Sequence, residues 1–167
     1  MKKLLVLAFM LFAFSASTFA QATASATGTA TIVAPIGITS TVDMNFGNIA
    51  VSGAGTVILA PAGTRTPTGG ITLPAITGTV SAASFDVTGN DGYTYTITLP
   101  STDYTITRVS GTETMTINTF TSDPSGTGTL TGGSETVNVG ATLNVNAGQV
   151  GGTYTNATGF DVTVNYN

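Results

Sequence analysis

Eight carboxylates are the main chemical groups that this chain offers for catalysis or metal binding: Asp43, Asp86, Asp91, Asp103, Glu113, Asp123, Glu135 and Asp161. Glycoside hydrolysis needs two carboxyl groups that face each other across a cleft. Most of these acids fall in predicted turns instead. Asp86 lies between Phe85 and Val87 in an alternating run, so we predict that it faces solvent. The spacing of the acids therefore predicts no catalytic pair.

Most other catalytic groups are missing from the sequence. The chain has no His, Cys or Trp, and Lys occurs only at Lys2 and Lys3. A serine nucleophile would lack a basic partner, and there is no thiol. The nitrogen and sulfur ligands of zinc and copper sites are absent as well. We therefore predict that the protein is not an enzyme and has no cofactor.

Calcium is the one metal for which the residue types are suitable. Asp91 and Asp103 flank the end of a predicted hairpin, and Asp123 lies in another turn. Calcium needs about six to eight oxygen ligands, and no Asp-x-Asp-x-Asp-Gly spacing is present. Asp is common in turns without any metal. We predict solvated turn residues and no metal site.

The first twenty residues have the pattern of a secretory signal peptide. Lys2 and Lys3 precede an apolar run over residues 4–14, and Thr18-Phe19-Ala20 forms a small-residue cleavage site. The run is shorter than the roughly 18–20 residues that a membrane span needs. We expect the working protein to begin at Gln21, without a membrane span, and to be periplasmic, at the cell surface or extracellular.

Charge and composition exclude some partners and favour sheets. Loss of Lys2 and Lys3 with the signal peptide would change the net charge from −4 to −6 and leave only Arg65 and Arg108 as cations. Nucleic acid is a poor partner for such a surface. Charged residues make up 7% of the chain, against about 25% in typical domains. Many β-branched residues replace them, which favours β-sheet.

Residues 21–167 are predicted to form a single β-sandwich domain, because Gly and Pro separate short alternating runs and no helical periodicity is present. We predict about ten strands. They cover residues 26–33 continued by 37–41, then 42–49, 55–59, 78–88, 93–99, 103–109, 112–122, 128–131, 135–139, 141–145 and 160–166. Residues 60–70 are predicted to form a loop that carries Arg65.

Two turns predict hairpins. Gly89-Asn90-Asp91-Gly92 should join the strand that contains Phe85 to the strand of Tyr93, Tyr95, Ile97 and Leu99. Ser110-Gly111 should join the next two strands. The predicted core consists of apolar residues on inward faces: Phe46, Ile49, Phe85, Val87, Tyr95, Ile97, Leu143, Phe160, Val162 and Val164.

The last residues have the most regular alternation in the chain. Phe160, Val162, Val164 and Tyr166 fall on one face, opposite Asp161, Thr163 and Asn165. A strand of this kind must either close a sandwich or dock on a partner. These four residues are our candidate assembly strand.

Several motifs together resemble a secreted bacterial family. They are Thr31-Ile-Val-Ala-Pro35, Met44-Asn-Phe-Gly-Asn-Ile49, Asn138-Val-Gly-Ala-Thr-Leu143, Gly152-Thr-Tyr154 and Phe160-x-Val-x-Val-x-Tyr166. Their order and spacing resemble the domain of unknown function 4402 family, which is similar to spore coat protein U domains and to chaperone–usher pilus subunits. The resemblance implies an immunoglobulin-like, pilin-like antiparallel β-sandwich.

The resemblance also implies a mode of assembly. In pilus subunits the sandwich lacks one strand, which the N-terminal extension of the next subunit supplies, and the last strand has a penultimate aromatic residue such as Tyr166. Here Ile36 and Gly37 stand where those relatives usually have a cysteine. If residues 26–33 form a strand, the extension is only residues 21–25, or about 17 Å. We therefore expect the final strand to pair within its own domain.

Two functions from different classes follow from the sequence. The first is a secreted, non-enzymatic structural protein of the cell surface or extracellular matrix, such as a fimbria-like or adhesion subunit, with copies of itself or other secreted subunits as partners. The alternative is a stand-alone module that binds a surface polysaccharide through a Tyr-bearing face.

Two weaker signals have simpler explanations. The Thr-x-Thr runs at residues 94–98 and 112–116 resemble ice-binding faces, but β-propensity explains them without a ligand. Asn156-Ala157-Thr158 matches the glycosylation triplet. We interpret it as a turn.

Overall fold

The twelve-residue strand β11 (Ser134–Val145) is the strand on which the larger sheet is built. The structure is a computed structural model that describes residues 21–167. All regular structure in this range is β: β1 (Gly37–Val42), β2 (Ala50–Val51), β3 (Gly55–Leu59), β4 (Arg65–Pro67), β5 (Ile71–Thr72), β6 (Ala83–Thr88), β7 (Thr94–Thr98), β8 (Tyr104–Arg108), β9 (Thr114–Asp123), β10 (Thr127–Thr129), β11, β12 (Tyr154–Thr155) and β13 (Thr163–Tyr166). The predicted all-β, antiparallel sandwich is confirmed.

The chain divides into two compact units, Met1–Ile32 and Val33–Asn167. All thirteen strands belong to the second unit. Within the first unit, residues 21–32 form no strand and their side chains are exposed. The predicted signal peptide, residues 1–20, lies outside the described residues.

β11 has one buried face and one polar face along its whole length. Val137, Val139, Ala141, Leu143 and Val145 are all buried, and the even-numbered residues between them point to the other side of the sheet. The sequence predicts two strands separated at Gly140, but the structure joins them. A side chain at Gly140 would collide with the backbone around Leu59. The glycine therefore permits a close backbone approach and does not end the strand.

The larger sheet has the strand order β1-β6-β11-β9-β8-β12, and β3 pairs with the second half of β11 and with β4. The hairpin of β8 and β9 was predicted from Ser110-Gly111 and is confirmed. The ladder between β9 and β11 shifts its register between Gly140 and Thr142. Thr119 adopts a positive φ of 50° at this β-bulge.

The second sheet corrects one predicted hairpin. It has the order β10-β7-β13, so β7 does not pair with β6. The tight turn at residues 89–92 exists, but it carries the chain from one sheet to the other. Phe85 and Tyr95 belong to the same buried cluster although they lie in different sheets. Both strands alternate, and alternation does not specify whether two strands lie side by side or face each other.

Two apolar clusters fill the core. One contains Val57, Leu59, Ile106, Ile117 and Leu143 among its buried members. The other surrounds Phe85, Val87, Tyr95, Leu130 and Val137. Met44 and Phe120 pack against both clusters and connect them.

Seven of the ten predicted core residues are buried: Phe46, Phe85, Val87, Tyr95, Ile97, Leu143 and Val164. Ile49, Phe160 and Val162 are half-buried and pack against the clusters from outside.

The N-terminal strand prediction is wrong. Residues 26–33 form no strand, and Ile32 is 97% exposed. Their alternation has the period of a strand, but the apolar side of this run is mostly Ala and Gly. Such side chains bury little area against the domain, so the core gains little from them.

Two further predictions differ from the structure near Arg65. Of residues 42–49, Val42 ends β1 and the rest form only an isolated bridge between Asn45 and Ser81. The predicted loop 60–70 contains β4. The Arg65 guanidinium donates hydrogen bonds to the carbonyl oxygens of Phe46 (2.6 Å) and Asn48 (3.0 Å). These bonds fix the irregular segment that a strand would otherwise occupy.

Candidate functional site

The final strand β13 is shorter than predicted and pairs within its own domain. It spans Thr163–Tyr166 and lies antiparallel to β7, with Val164 opposite Ile97 and Tyr166 opposite Tyr95. Of the four residues of the predicted assembly strand, Val164 and Tyr166 lie in the strand. Phe160 and Val162 precede it and are half-buried. The predicted alternation is present along the whole segment: these four side chains are buried or half-buried, whereas Asp161, Thr163 and Asn165 are exposed.

Phe160 precedes β13 and packs into an aromatic cluster. Its ring centroid lies 4.9 Å from that of Phe120, 5.7 Å from that of Tyr104 and 6.3 Å from that of Phe85. Edge-to-face and tilted aromatic pairs of this kind are favourable. The contacts connect the approach to β13 with both β8 and β6.

Tyr166 anchors the other end of the strand. Its hydroxyl donates a hydrogen bond to the Ala34 carbonyl oxygen (2.9 Å) and accepts one from the Asn90 amide (2.7 Å). The ring makes an edge-to-face contact with Tyr93 at 5.6 Å. Any side chain at Gly89 would collide with the Tyr166 hydroxyl. The penultimate tyrosine therefore ties the chain end to the residues that lead into β1.

The outer edge of β13 has no strand partner among the described residues. β13 is the last strand of the small sheet, β1 is the last strand of the large sheet, and the two strands touch without forming a ladder. Ile36 and Ile38 pack against the second cluster from the β1 side, and Phe160 and Val162 pack against it from the β13 side. All four are only half-buried. An open strand edge thus lies beside partly exposed apolar surface.

The residues before β1 have the length and pattern of a strand. Since residues 26–33 are not part of the sheet, the segment without regular structure runs from Gln21 to Ile36, not from Gln21 to Ser25 as the sequence predicts. Fully extended, sixteen residues span about 53 Å. The alternation of residues 26–33 predicted a strand of the domain, which made the expected extension shorter than the segment in the structure.

The predicted Tyr-bearing face is not present as a row of exposed rings. Tyr95 is fully buried, whereas Tyr93 is 41% exposed. The other three tyrosines, Tyr104, Tyr154 and Tyr166, are half-buried. The hydroxyl of each donates a hydrogen bond to a backbone carbonyl oxygen. The tyrosines therefore do not form a continuous row of exposed rings, although the rings of Tyr93 and Tyr166 are in contact.

Tyr95 has an acidic partner, Glu135, that no sequence motif indicated. Its hydroxyl donates to the Glu135 carboxylate (2.8 Å), which also accepts the Thr129 amide (2.8 Å). The Glu135 carboxylate therefore links the two sheets, because Glu135 lies in β11 of the larger sheet while Tyr95 and Thr129 lie in β7 and β10 of the smaller one. Burial, and next the bond to Glu135, raise the pKa of Tyr95. A side chain at Gly128 would collide with both partners.

Three other acidic side chains accept hydrogen bonds from nearby protein groups. Asp86 is exposed, as predicted, and accepts a hydrogen bond from Thr136 (3.0 Å). Asp91 accepts the Gly132 amide (2.7 Å), and Asp103 accepts the Asn118 side-chain amide (3.0 Å). Over residues 21–167, no group of three or more His, Cys, Asp or Glu is placed to hold a metal.

Glu113 forms an ion pair with Arg108 at 2.7 Å in the β8–β9 hairpin. The hydrogen bond from Arg108 is the main reason that the pKa of Glu113 falls to about 2. The same bond raises the pKa of Arg108. The pair stabilises the hairpin end and offers no free charge for catalysis.

Asn156 serves a turn. Its side-chain amide donates to the Thr105 carbonyl oxygen (2.8 Å), and its side-chain oxygen accepts the Thr158 amide (3.0 Å). The Asn156 carbonyl oxygen accepts the Tyr104 hydroxyl (3.0 Å). These bonds account for the Asn-Ala-Thr triplet as local structure.

From Gln21 onward, the structure contains no helix of the length and apolar character that a membrane crossing requires.

Comparison with known proteins identifies one family. The family model described as "Domain of unknown function (DUF4402)" matches residues 36–166. No curated protein and no solved structure matches the chain.

Proposed function

The chain belongs to the domain of unknown function 4402 family, and we propose that it is a secreted, non-enzymatic structural protein of the cell surface or extracellular matrix whose copies assemble with one another. The open edge of β13 carries this proposal. An unpaired strand edge beside apolar surface recruits a further strand. The residue inventory is consistent with such a role, because the sequence has no His or Cys and residues 21–167 have no Lys.

The N-terminal segment has the chemistry of the missing strand. One face would present Ala22, Ala24, Ala26, Gly28, Ala30 and Ile32, and the other Thr23, Ser25, Thr27, Thr29 and Thr31. In β-augmentation the backbone supplies the affinity and alternate side chains supply the specificity. Small side chains suit a shallow gap, and Ile32 supplies one large apolar anchor. We place this segment of one copy along β13 of the next.

Secretion is consistent with assembly through the N-terminal segment. The predicted signal peptide would deliver the chain to the cell envelope or beyond it. Export also exposes residues 21–36 at a new N-terminus, which leaves this segment accessible to another copy.

A pair of adjacent substitutions tests the assembly. Ile32→Asp places a charge on the apolar face of the segment, whereas Thr31→Asp places the same charge on its polar face. We expect the unaltered chain and Thr31→Asp to form oligomers that grow with concentration in size-exclusion chromatography with light scattering. Ile32→Asp should be monomeric, because a buried carboxylate costs more than the strand gains.

A peptide experiment tests the same contact in the other direction. A synthetic peptide of residues 21–36 should bind a chain that begins at Val33, and the same peptide with Ile32→Asp should not. A chain that stays monomeric at all concentrations and does not bind the peptide would refute this assembly. Equal oligomerisation of both Asp variants would also refute it.

A further inference from the structure

A cleft beside β13 is lined by aromatic rings, carboxylates and hydroxyl groups. It opens between the β7–β8 connection and the approach to β13, and its volume is about 360 Å³. Ligand sites of small molecules begin at about 300 Å³ and combine apolar walls with a few polar groups. The volume suits one or two sugar rings.

Two aromatic residues form a fixed wall of this cleft. Tyr104 and Phe160 both line it, with their rings edge to face at 5.7 Å. Phe160 is held from behind by Phe120, and the Tyr104 hydroxyl is held by the Asn156 carbonyl oxygen. These contacts hold both rings in place within the fold. Aromatic rings offer both an apolar surface and a negative face that attracts cations.

Two carboxylates line the same cleft without a cation. Asp161 is exposed and has no hydrogen-bond or ion-pair partner among residues 21–167. Asp103 binds only the neutral amide of Asn118, which orients its carboxylate and leaves its charge uncompensated. The two arginines of the described chain are engaged elsewhere, Arg65 with backbone carbonyls and Arg108 with Glu113. The charge of the cleft is therefore negative.

Hydroxyl groups complete the lining. Thr98, Ser101, Thr102 and Thr163 border the cleft and can both donate and accept hydrogen bonds. A saccharide presents matching hydroxyls at its edges and C–H groups on its faces. The carboxylates disfavour uronic, sulfated or phosphorylated sugars and favour an ammonium group. The acidic net charge, which is −6 without Lys2 and Lys3, attracts such ligands over a longer range.

We propose that this cleft binds a saccharide with unacetylated amino groups, with its ammonium between the aromatic wall and the carboxylates of Asp103 and Asp161. This binding role is distinct from assembly, although the cleft shares Phe160 with the apolar surface beside β13 and Thr163 with β13 itself. In an extracellular protein it would attach the subunit to a cationic glycan.

Calorimetric titration of the purified protein tests the assignment with three probes: a β-linked glucosamine tetrasaccharide, its fully N-acetylated counterpart and a uronate tetrasaccharide. We expect saturable binding of one glucosamine tetrasaccharide per chain. The N-acetylated probe should bind about tenfold more weakly or worse, since it has lost its charge. The uronate should not bind.

Two isosteric substitutions locate the site. Asp161→Asn should weaken binding about fivefold, as expected for an exposed charge contact. The control Asp86→Asn removes the same charge on the outer face of β6 and should leave affinity unchanged. Because both side chains are exposed, neither change should unfold the domain, which thermal unfolding verifies. NMR shifts on titration should concentrate in residues 98–104 and 160–163.

Three results would overturn the proposal. One is the absence of saturable binding to the glucosamine probe. The second is equal or tighter binding of its N-acetylated counterpart. The third is an equal effect of Asp161→Asn and Asp86→Asn, which would show attraction to the overall charge and no specific cleft.

Discussion

At the scale of single residues, the structure separates side chains that stabilise the domain from those left free to meet a partner. Phe85 and Tyr95 are buried between the sheets, and Arg108 is paired with Glu113. Ile32 and Asp161 are exposed. Both proposals above depend on the second group, so substitutions there should alter association and leave folding intact.

Phe85 should be among the most costly core residues to truncate. Phe85 is 8% exposed, and its ring contacts that of Phe160. Phe85→Ala should reduce the free energy of unfolding by about 3–5 kcal/mol, because it removes apolar contacts and leaves a cavity. Urea denaturation measures this loss. Ile76→Ala is the control, since Ile76 is 80% exposed, and an equal effect of both changes would contradict the assigned register.

The ion pair of Arg108 and Glu113 should affect stability at acid pH. The pKa of Glu113 is about 2 in the folded protein, below its ordinary value of 4.5. A depressed carboxyl pKa stabilises the folded state above the ordinary value, and this contribution is lost as pH falls from about 4.5 to 2. Glu113→Gln should therefore flatten the decrease in unfolding free energy across that range.

Chemical denaturation at several pH values measures this effect. Arg108→Gln should flatten the curve to a similar extent, and the double substitution should add little. An unchanged slope in Glu113→Gln would contradict the role of the pair.

At the scale of elements, β13 has two edges with different roles. One edge pairs with β7 and completes the small sheet, while the other lacks a strand partner among residues 21–167. The same short strand therefore contributes both to folding and to the proposed assembly. Tyr166 fixes its position through Ala34 and Asn90.

Removal of the chain end should abolish folding. A chain that ends at Asn156 lacks β13, Phe160 and the Tyr166 anchor, which exposes the inner side of β7 around Tyr95 and Ile97. Circular dichroism and one-dimensional NMR of this truncated chain should show an unfolded or aggregated protein. By contrast, a chain that begins at Val33 loses no strand and should keep the folded spectrum. A folded protein without residues 157–167 would show that β7 needs no partner.

At the scale of the whole domain, residues 33–167, the two core clusters are joined by one strand. β11 contributes Val137 and Val139 to one cluster and Leu143 and Val145 to the other. Neither cluster can lose its structure without breaking the ladders of β11. The clusters should therefore be a single cooperative unit.

Thermal unfolding should accordingly show one transition. Calorimetry on a monomeric form such as Ile32→Asp should yield equal calorimetric and van't Hoff enthalpies, the signature of two-state unfolding. Two resolved transitions, or a calorimetric enthalpy well above the van't Hoff value, would mean that the clusters unfold independently.

Local sequence patterns were sufficient to predict the class of fold and to predict which side chains point into the core. Alternation identified β6, β7 and β11 and placed Phe85, Val87, Tyr95 and Leu143 inside, because the period of a strand depends only on neighbouring residues. The sequence also shows directly that His and Cys are absent and that Lys occurs only at residues 2 and 3. Short motifs also predicted the domain of unknown function 4402 family, and the family model confirms this over residues 36–166.

Which strands pair with each other, and which distant residues come together, could be seen only in the tertiary structure. The partner of β7 is β10 on one side and β13 on the other, and the residues involved lie far from β7 in sequence. Whether residues 26–33 join the sheet depended on how much area their Ala side chains could bury. The cleft of Tyr104, Phe160, Asp103 and Asp161 arises from segments nearly sixty residues apart. Alternation determines which way a side chain points, whereas the choice of neighbouring strand depends on loop closure and on burial summed over the whole domain.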